Sequence, residues 1–494
     1  MDTNVDLLLV RANDRKKVYG DLNTNISAIE PPLWMLIIAS FLRERGYKVM
    51  IIDMEIENLL PDDLIDKLIL INPLLIGIFV TGNNLAASTW NMLGASKVLT
   101  TISSIKERRF KIFIWGLHPS SLPERTLNEE NVDYLIQGEG LFSIEKLISN
   151  LKQNVDSDQW TIKGLWYKKK NSTAYSKTKI TSDIVTDLNL LPMPAWDLIP
   201  LHKYRAHNWQ CFQNLEKREP YAVIYTSLGC PYNCSFCNLK TLFGHRGVRF
   251  RSPINVVNEL FLLSNIYKVK NIKILDECFV LQRDHVEKIC DFIIERNLDL
   301  NIWAYARIDT VDFDLLKKLK KAGVNWLCYG IESANSFVLR DVIKTGFNNN
   351  NVRQSIKMTK DAGINILANF MFGLPEDTMD TMQETLALAK ELNCEYNNFY
   401  TTMAYPGSDL YDSALKNGVK LPESWIGYSQ FSEETLPLPT KYLTSSEVLQ
   451  FRDNAFYDFH QDINYLQMIE NKFGTNVVRH INEVTSYRIT RKYI

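Results

Sequence analysis

Cysteine is missing from the first 210 residues of this 494-residue chain. That excludes a thiolate-held cluster in that half, and eight cysteines in all are too sparse for a disulfide framework. Long apolar runs are missing too. The longest, residues 73–80 and 33–39, fall well short of the ~18 residues that span a bilayer. Residues 1–17 hold an apolar run of only about five residues behind acidic ones, where a secretory signal needs a basic start and a longer apolar core. A cytoplasmic protein without a membrane span is therefore expected. No charge of one sign dominates: 56 Lys+Arg stand against 57 Asp+Glu, a net charge of −1. That excludes an overall polyanion-binding surface but leaves room for a local basic groove, and no nucleic-acid partner is expected. There is no short-period repeat and no low-complexity segment. What remains is an ordinary globular composition, 46% hydrophobic and 23% charged, long enough for about three domains.

Residues 1–151 alternate apolar strand-like runs (5–10, 49–53, 74–80, 111–115, 132–137) with helical patterns (31–45, 85–106, 141–151). This predicts a doubly wound, Rossmann-like parallel sheet, whose ligands sit beyond the carboxyl ends of the strands. Those ends carry Thr81-Gly82-Asn83, Gly116-Leu117-His118-Pro119 and Gly138-Glu139-Gly140. The small residues either admit a ligand close to the backbone or are plain tight turns. No GxGxxG follows Val10, so the dinucleotide fingerprint is absent. Residues 152–215 read as a connector with a hairpin around Lys170-Asn171-Ser172, broken by Pro192 and Pro194.

A second alternation fills residues 216–431, with six βα units from about Tyr221. It predicts a partial (β/α)6 barrel, with an open sheet as the competing arrangement. Residues 432–494 are expected to be mainly helical, as a lid or substrate-facing module. Trp425, Tyr428 and Phe431 are read as core aromatics that could also line a pocket.

Directly after the first strand of the second alternation stands Gly229-Cys230-Pro231-Tyr232-Asn233-Cys234-Ser235-Phe236-Cys237. Three thiolates so closely spaced can converge on one soft metal centre. On a [4Fe–4S] cluster they would leave one iron open. Two alternatives stand beside this. His245 could complete a Cys3His zinc site, or Cys234 and Cys237 could be a redox pair with Cys230 idle. Cys328, in an apolar strand-like run, is expected to be a buried small hydrophobe.

The CxxxCxxC motif in this position resembles the radical S-adenosylmethionine (radical SAM) superfamily. Phe236 before the third cysteine fits. So do Leu275-Asp276-Glu277, Tyr329-Gly330-Ile331-Glu332-Ser333, Phe372-Gly373-Leu374-Pro375 and Ala404-Tyr405-Pro406-Gly407-Ser408 at later strand ends. The first half is similar to the cobalamin-binding domain of the B12-dependent class, through Pro31-Pro32-Leu33, Leu42-Arg43-Glu44-Arg45-Gly46-Tyr47, Gly116-Leu117-His118-Pro119-Ser120 and Gly138-Glu139-Gly140. The resemblance covers about residues 5–430.

It implies three cofactors: a [4Fe–4S] cluster on Cys230, Cys234 and Cys237, S-adenosylmethionine on the open iron, and cobalamin. Phe236 would lie against the adenine. Asp276 and Glu277 stand where many members have Gly-Gly-Glu, which meets the methionine amino group. Glu332 and Gly373 would contact the same cofactor. Arg307 would pair with its carboxylate, unless it is a structural ion pair. Thr81, Gly82, Gly116, His118, Gly138, Glu139 and Gly140 would line the cobalamin site. The chain departs from the pattern in having no Asp-x-His-x-x-Gly, in Trp115-Gly116 for Gly-Gly, and in Glu376 after Pro375.

The implied activity is methylation of an unactivated carbon, or a phosphinate phosphorus, through a 5′-deoxyadenosyl radical and methylcobalamin. Ring contraction or oxidative cyclisation with the same cofactors is the alternative, and a non-catalytic metal-binding module is the reading from another class. A tRNA methylthiotransferase is disfavoured by the absence of N-terminal cysteines. The implied partners are a small-molecule substrate and an external electron donor such as flavodoxin or ferredoxin.

Overall fold

The computed structural model describes residues 5–19, 27–80, 85–105, 108–168, 175–177, 184–244 and 247–494. Two compact units emerge. The first is Met1–Val18 with Pro32–Pro200 and Asn238–His245; the second is Tyr19–Pro31 with Leu201–Cys237 and Arg246–Ile494.

The first unit is built on β1 (Leu7–Arg11), β2 (Val49–Asp53), β3 (Leu75–Val80), β4 (Lys111–Gly116), β5 (Tyr134–Ile136), β6 (Leu165–Lys168) and β7 (Tyr175–Lys177), in the order β2-β1-β3-β4-β5-β6-β7. β1 to β5 are parallel, and β6 and β7 add an antiparallel hairpin at one edge. Every residue of β1 and β3 is buried, as strands covered on both faces must be. The strand order reverses at β1, so the crevice beyond the carboxyl ends of β1 and β3 is the ligand position of such a sheet. On the other side of β1, at its end and that of β2, Arg11 pairs with Asp53 at 2.6 Å and Arg15 with Glu55 at 2.9 Å.

The second unit begins with β8 (Tyr221–Ile224). A two-stranded ribbon follows, β9 (Ser227–Leu228) against β10 (Arg249–Phe250). Then come β11 (Asn271–Ile274), β12 (Asn301–Ala306), β13 (Val324–Glu332), β14 (Asn365–Phe372) and β15 (Tyr396–Thr401). The large sheet runs β8-β11-β12-β13-β14-β15, all parallel. This sequential order decides between the two expected arrangements. Each crossover advances in the same direction, so right-handed connections place every helix on one face and the sheet curls around the other. β8 and β15 are its two edges, so the barrel is partial. Local chemistry sets the helix starts: Asp312 accepts from Leu315 N, Asn335 from Phe337 N, and Thr444 and Glu447 form a capping box.

The tail is helical over Ser445–His460, Ile463–Phe473 and Thr475–Ser486. It does not stand off as a separate lid. Arg452 Nε donates to Phe399 O at 2.7 Å and Tyr465 Oη to Glu395 O at 3.2 Å, so the tail braces the outer side of β15. Trp425 and Tyr428 are buried. No helix among the described residues is long and apolar enough to cross a membrane.

Candidate active site

β8 and β9 deliver the cysteine loop to the carboxyl end of the sheet. All eight cysteines are free thiols. Cys211, Cys278, Cys290, Cys328 and Cys394 are buried, whereas Cys230, Cys234 and Cys237 are partly exposed. The loop is fastened at three places. Cys237 N donates to Cys234 O at 3.0 Å, Ser235 N to Val342 O at 3.1 Å, and Leu410 N to Ser235 O at 3.0 Å. Tyr232, between the first two cysteines, lies under the Arg307 guanidinium, 3.7 Å from the ring centroid. Burial raises the Cys230 and Cys234 thiols, and nearby cations oppose it: Arg307 for both, Lys344 for Cys234. Cys278, one residue after Glu277, is pushed up to about 12 by burial and stays a thiol. Among the described residues, no three His, Cys, Asp or Glu side chains gather around one ion. A cubane takes one thiolate per iron, so its ligands need not meet at a point. His245 lies outside the described residues.

The carboxylates separate into different roles. Asp276 is fully buried and saturated. Its oxygens accept from Thr226 N at 2.7 Å, Thr226 Oγ1 at 2.5 Å and Ser227 Oγ at 2.6 Å. It ties the end of β8 to β11 and has nothing to offer a cofactor. Glu277, one residue on, is the opposite case. Its Oε2 is enclosed without a hydrogen-bond partner. Burial, with Asp276 adding to it, pushes the carboxyl up to about 8. A cationic group delivered to that oxygen would satisfy it.

Arg307 corrects an expectation. Its fork is filled by Asp309, Nε to Oδ1 at 2.9 Å and Nη2 to Oδ2 at 3.0 Å, and Nη2 also donates to Thr345 O at 2.8 Å. The structural ion pair is what forms, so no fork is left for a bidentate cofactor carboxylate. Glu332 sits at φ +66°, where the β13–β14 register shifts, and accepts from Lys344 Nζ at 2.9 Å. A Cβ on Gly330 would lie 2.4 Å from Glu332 Oε1 and 2.9 Å from Lys344 Nζ, so a side chain there would make the two flexible ends of this ion pair shift. Lys344 has no sequence signal, since it reaches the site through a turn after the Ser336–Asp341 helix.

Gly373 also has a packing role. Its N–H donates to Asp377 Oδ2 at 3.0 Å, and at φ +82° its missing side chain makes room for Val448 of the tail. Phe236 packs on the buried Val338, Val342 and Leu374.

Two family models match the chain: the radical SAM superfamily over residues 224–389 and the B12 binding domain over residues 20–147. The chain carries a radical SAM domain and a B12 binding domain. An uncharacterized methyltransferase of Pyrococcus horikoshii is 28% identical over 431 residues, 87% of this chain and 88% of that protein. The anaerobic magnesium-protoporphyrin IX monomethyl ester cyclase of Rubrivivax gelatinosus is 26% identical over 402 residues, 80% and 68%. The fold matches the structure of the radical SAM methyltransferase TsrM from Kitasatospora setae, which holds cobalamin and a [4Fe-4S] cluster. The TM-score is 0.67 at 15% identity, covering 97% of this chain and 99% of that one.

A radical SAM domain implies the cluster and S-adenosylmethionine, and a B12-binding domain implies cobalamin. The radical SAM unit fits its group residue by residue: three accessible thiols, and beside them one buried carboxylate oxygen without a partner. The B12-binding unit fits at the level of its switch-point sheet, while several residues expected to line it serve its own packing. His118 is fully buried, its Nε2 3.5 Å from Thr89 Oγ1, and burial lowers it to about 3. It is a neutral core histidine, turned inward by its short helix. Glu139 is buried as well, accepting Val185 N at 2.7 Å on its carboxylate and Trp34 Nε1 at 2.9 Å on its carbonyl. Trp115 Nε1 donates to Gly138 O at 2.6 Å. A Cβ on Gly116 would strike Val80 O, and one on Gly140 would crowd Ile136 and Trp115. Thr81 and Gly82, after β3 at the switch point, lie outside the described residues.

Proposed function

We propose that this chain is a cobalamin-dependent radical SAM enzyme that methylates an unactivated carbon, or a phosphinate phosphorus, of a small molecule. The observation that carries it is the presence in one chain of two sheets with two different strand orders, each with its own family match, and the CxxxCxxC loop at the carboxyl end of the second. In this reading Cys230, Cys234 and Cys237 each hold one iron. Glu277 Oε2 receives the methionine ammonium, and Phe236 flanks the adenine. Arg307 and Lys344 act through the loop and Glu332. The working division is 1–151, 152–215, 216–431 and 432–494. When bound, the cluster with S-adenosylmethionine supplies hydrogen removal from an unactivated position, and cobalamin supplies the methyl group. The chain's own residues hold these groups, orient the substrate and exclude water. The reading includes an external one-electron donor such as flavodoxin or ferredoxin, and a cytoplasmic setting.

The test is metal content of anaerobically purified, cobalamin-supplied protein, followed by turnover with S-adenosylmethionine carrying a deuterated methyl group. About four irons and one cobalt per chain are expected, with label in the product. Iron without cobalt removes the methylcobalamin half, and zinc without iron overturns the proposal. The cyclase relative supports a second reading, oxidative cyclisation, in which the product loses hydrogen and carries no label.

A further inference from the structure

The parallel register of the second unit places one set of side chains inside the curled sheet. Lys273 is paired in register with Trp303, Tyr305 with Cys328, Gly330 with Asn369, Asn369 with Asn398, and Met371 with Tyr400. The lower end of this interior is closed. Trp303 and Trp326 are buried, and Trp209 packs edge-on against both at 5.1 and 5.2 Å. Above them Tyr305, Asn369, Met371, Asn398 and Tyr400 are all partly exposed. The opening is therefore toward the carboxyl ends, where Glu277 and the cysteine loop lie.

Two features of this chamber are chemical. First, apart from the Lys273–Glu30 ion pair, its side chains are polar and uncharged. Asn398 Nδ2 donates to Asn369 Oδ1 at 3.0 Å, and Asn369 Nδ2 to Cys328 Sγ at 3.2 Å. The phenols of Tyr305 and Tyr400, each near Cys328, make no hydrogen bond with any described residue. Burial raises both well above the ordinary tyrosine range, so they remain neutral donors. Second, the basic side chains around it already have partners: Lys273 with Glu30 at 2.8 Å, Arg307 with Asp309 at 2.9 Å, Lys344 with Glu332 at 2.9 Å, and Arg452, which faces Tyr400, with Asp453 at 2.8 Å. A phosphorylated or carboxylated ligand would bring buried charge with no cation released to meet it. A neutral ligand with acceptor atoms would satisfy both phenols at no such cost.

We infer that Tyr305, Tyr400 and the Asn369–Asn398 pair form the substrate-recognition chamber, and that the substrate part held there is uncharged, with carbonyl, ether or hydroxyl acceptors beside an apolar body. The inference rests on the proposed activity only in taking this chamber as the substrate's place. Its test needs no cofactor. Full-length protein is labelled with 3-fluorotyrosine and followed by fluorine NMR, with Tyr305→Phe and Tyr400→Phe assigning the two resonances. The probes are methyl benzoate, benzoate and phenylphosphonate, which share a ring and differ in charge. Methyl benzoate is expected to shift both resonances in one saturable titration, and phenylphosphonate neither. Each Phe variant, melting with the wild type, is expected to weaken methyl benzoate about threefold to tenfold, the effect of one neutral hydrogen bond. The inference is overturned if either anion binds more tightly than methyl benzoate, if methyl benzoate moves neither resonance, or if its affinity is unchanged in both variants. Metal content measured on the same preparation reports on the proposed activity separately.

Discussion

Gly373→Ala separates a packing role from a cofactor-binding role at a position where the family resemblance implies the second and the structure shows the first. The backbone there has φ +82°, and an added Cβ would sit 2.4 Å from Val448 Cγ1, 3.0 Å from Cγ2 and 3.2 Å from Cβ. The left-handed conformation costs a non-glycine residue about 1–2 kcal/mol. Overpacking a filled core adds about 1–3 kcal/mol. The expected destabilisation is therefore on the order of 2–5 kcal/mol, enough to lower the melting temperature by roughly 5–10 °C. Val448→Ala supplies the control. It removes both Cγ atoms, so the double variant should recover the overpacking part and keep the ~1–2 kcal/mol conformational part. The assay is thermal unfolding of the four proteins, with S-adenosylmethionine affinity measured beside it. Gly373→Ala melting with the wild type while that affinity falls tenfold or more would refute the packing argument and return Gly373 to the cofactor.

Alanine at Cys230, Cys234 or Cys237 should each abolish most of the bound iron, while Cys278→Ser or Cys290→Ser should leave it unchanged; iron analysis of reconstituted protein checks this. Lys344→Met should destabilise by about 3–5 kcal/mol because it leaves Glu332 buried and uncompensated, and adding Glu332→Gln should restore most of the loss; denaturant unfolding of the two variants and the wild type decides it. His118, lowered to about 3 by burial, is neutral in the fold. Its folded value is depressed, so its contribution is fully present above pH 6.5 and is lost as pH falls from there toward 3. At pH 5 the wild type should have lost about 2 kcal/mol on this account. His118→Asn should flatten that part of the stability-against-pH curve, and an unchanged curve would contradict a buried neutral ring.

Part of the fold and of the site is legible in the sequence. The alternation of apolar runs marks β12 at Asn301–Ala306 and the helix Met379–Leu392, because strand and helix periods differ and both faces of a covered strand are apolar. The three-cysteine spacing is likewise local, and the structure exposes those three thiols while burying the other five. What escaped the sequence were the assignments that depend on a distant partner. Asp276 and Glu277 are neighbours with the same charge, yet one is saturated by the end of β8 and the other holds a bare oxygen. Arg307 looks like a cofactor ligand until Asp309 fills its fork.

The sequence by itself determined the periodicities, the helix caps, the cysteine loop and the near-neutral charge. Each depends on residues a few positions apart, where covalent geometry limits the choices. Only the tertiary structure decided that one sheet reverses at β1 while the other advances strand by strand. Only it placed Val448 against Gly373, Lys344 against Glu332, and Tyr305 near Tyr400 across one interior. Those pairs lie far apart in the chain or on different strands, and their energies are collected only when the whole sheet closes around them. No local pattern in the sequence could announce them.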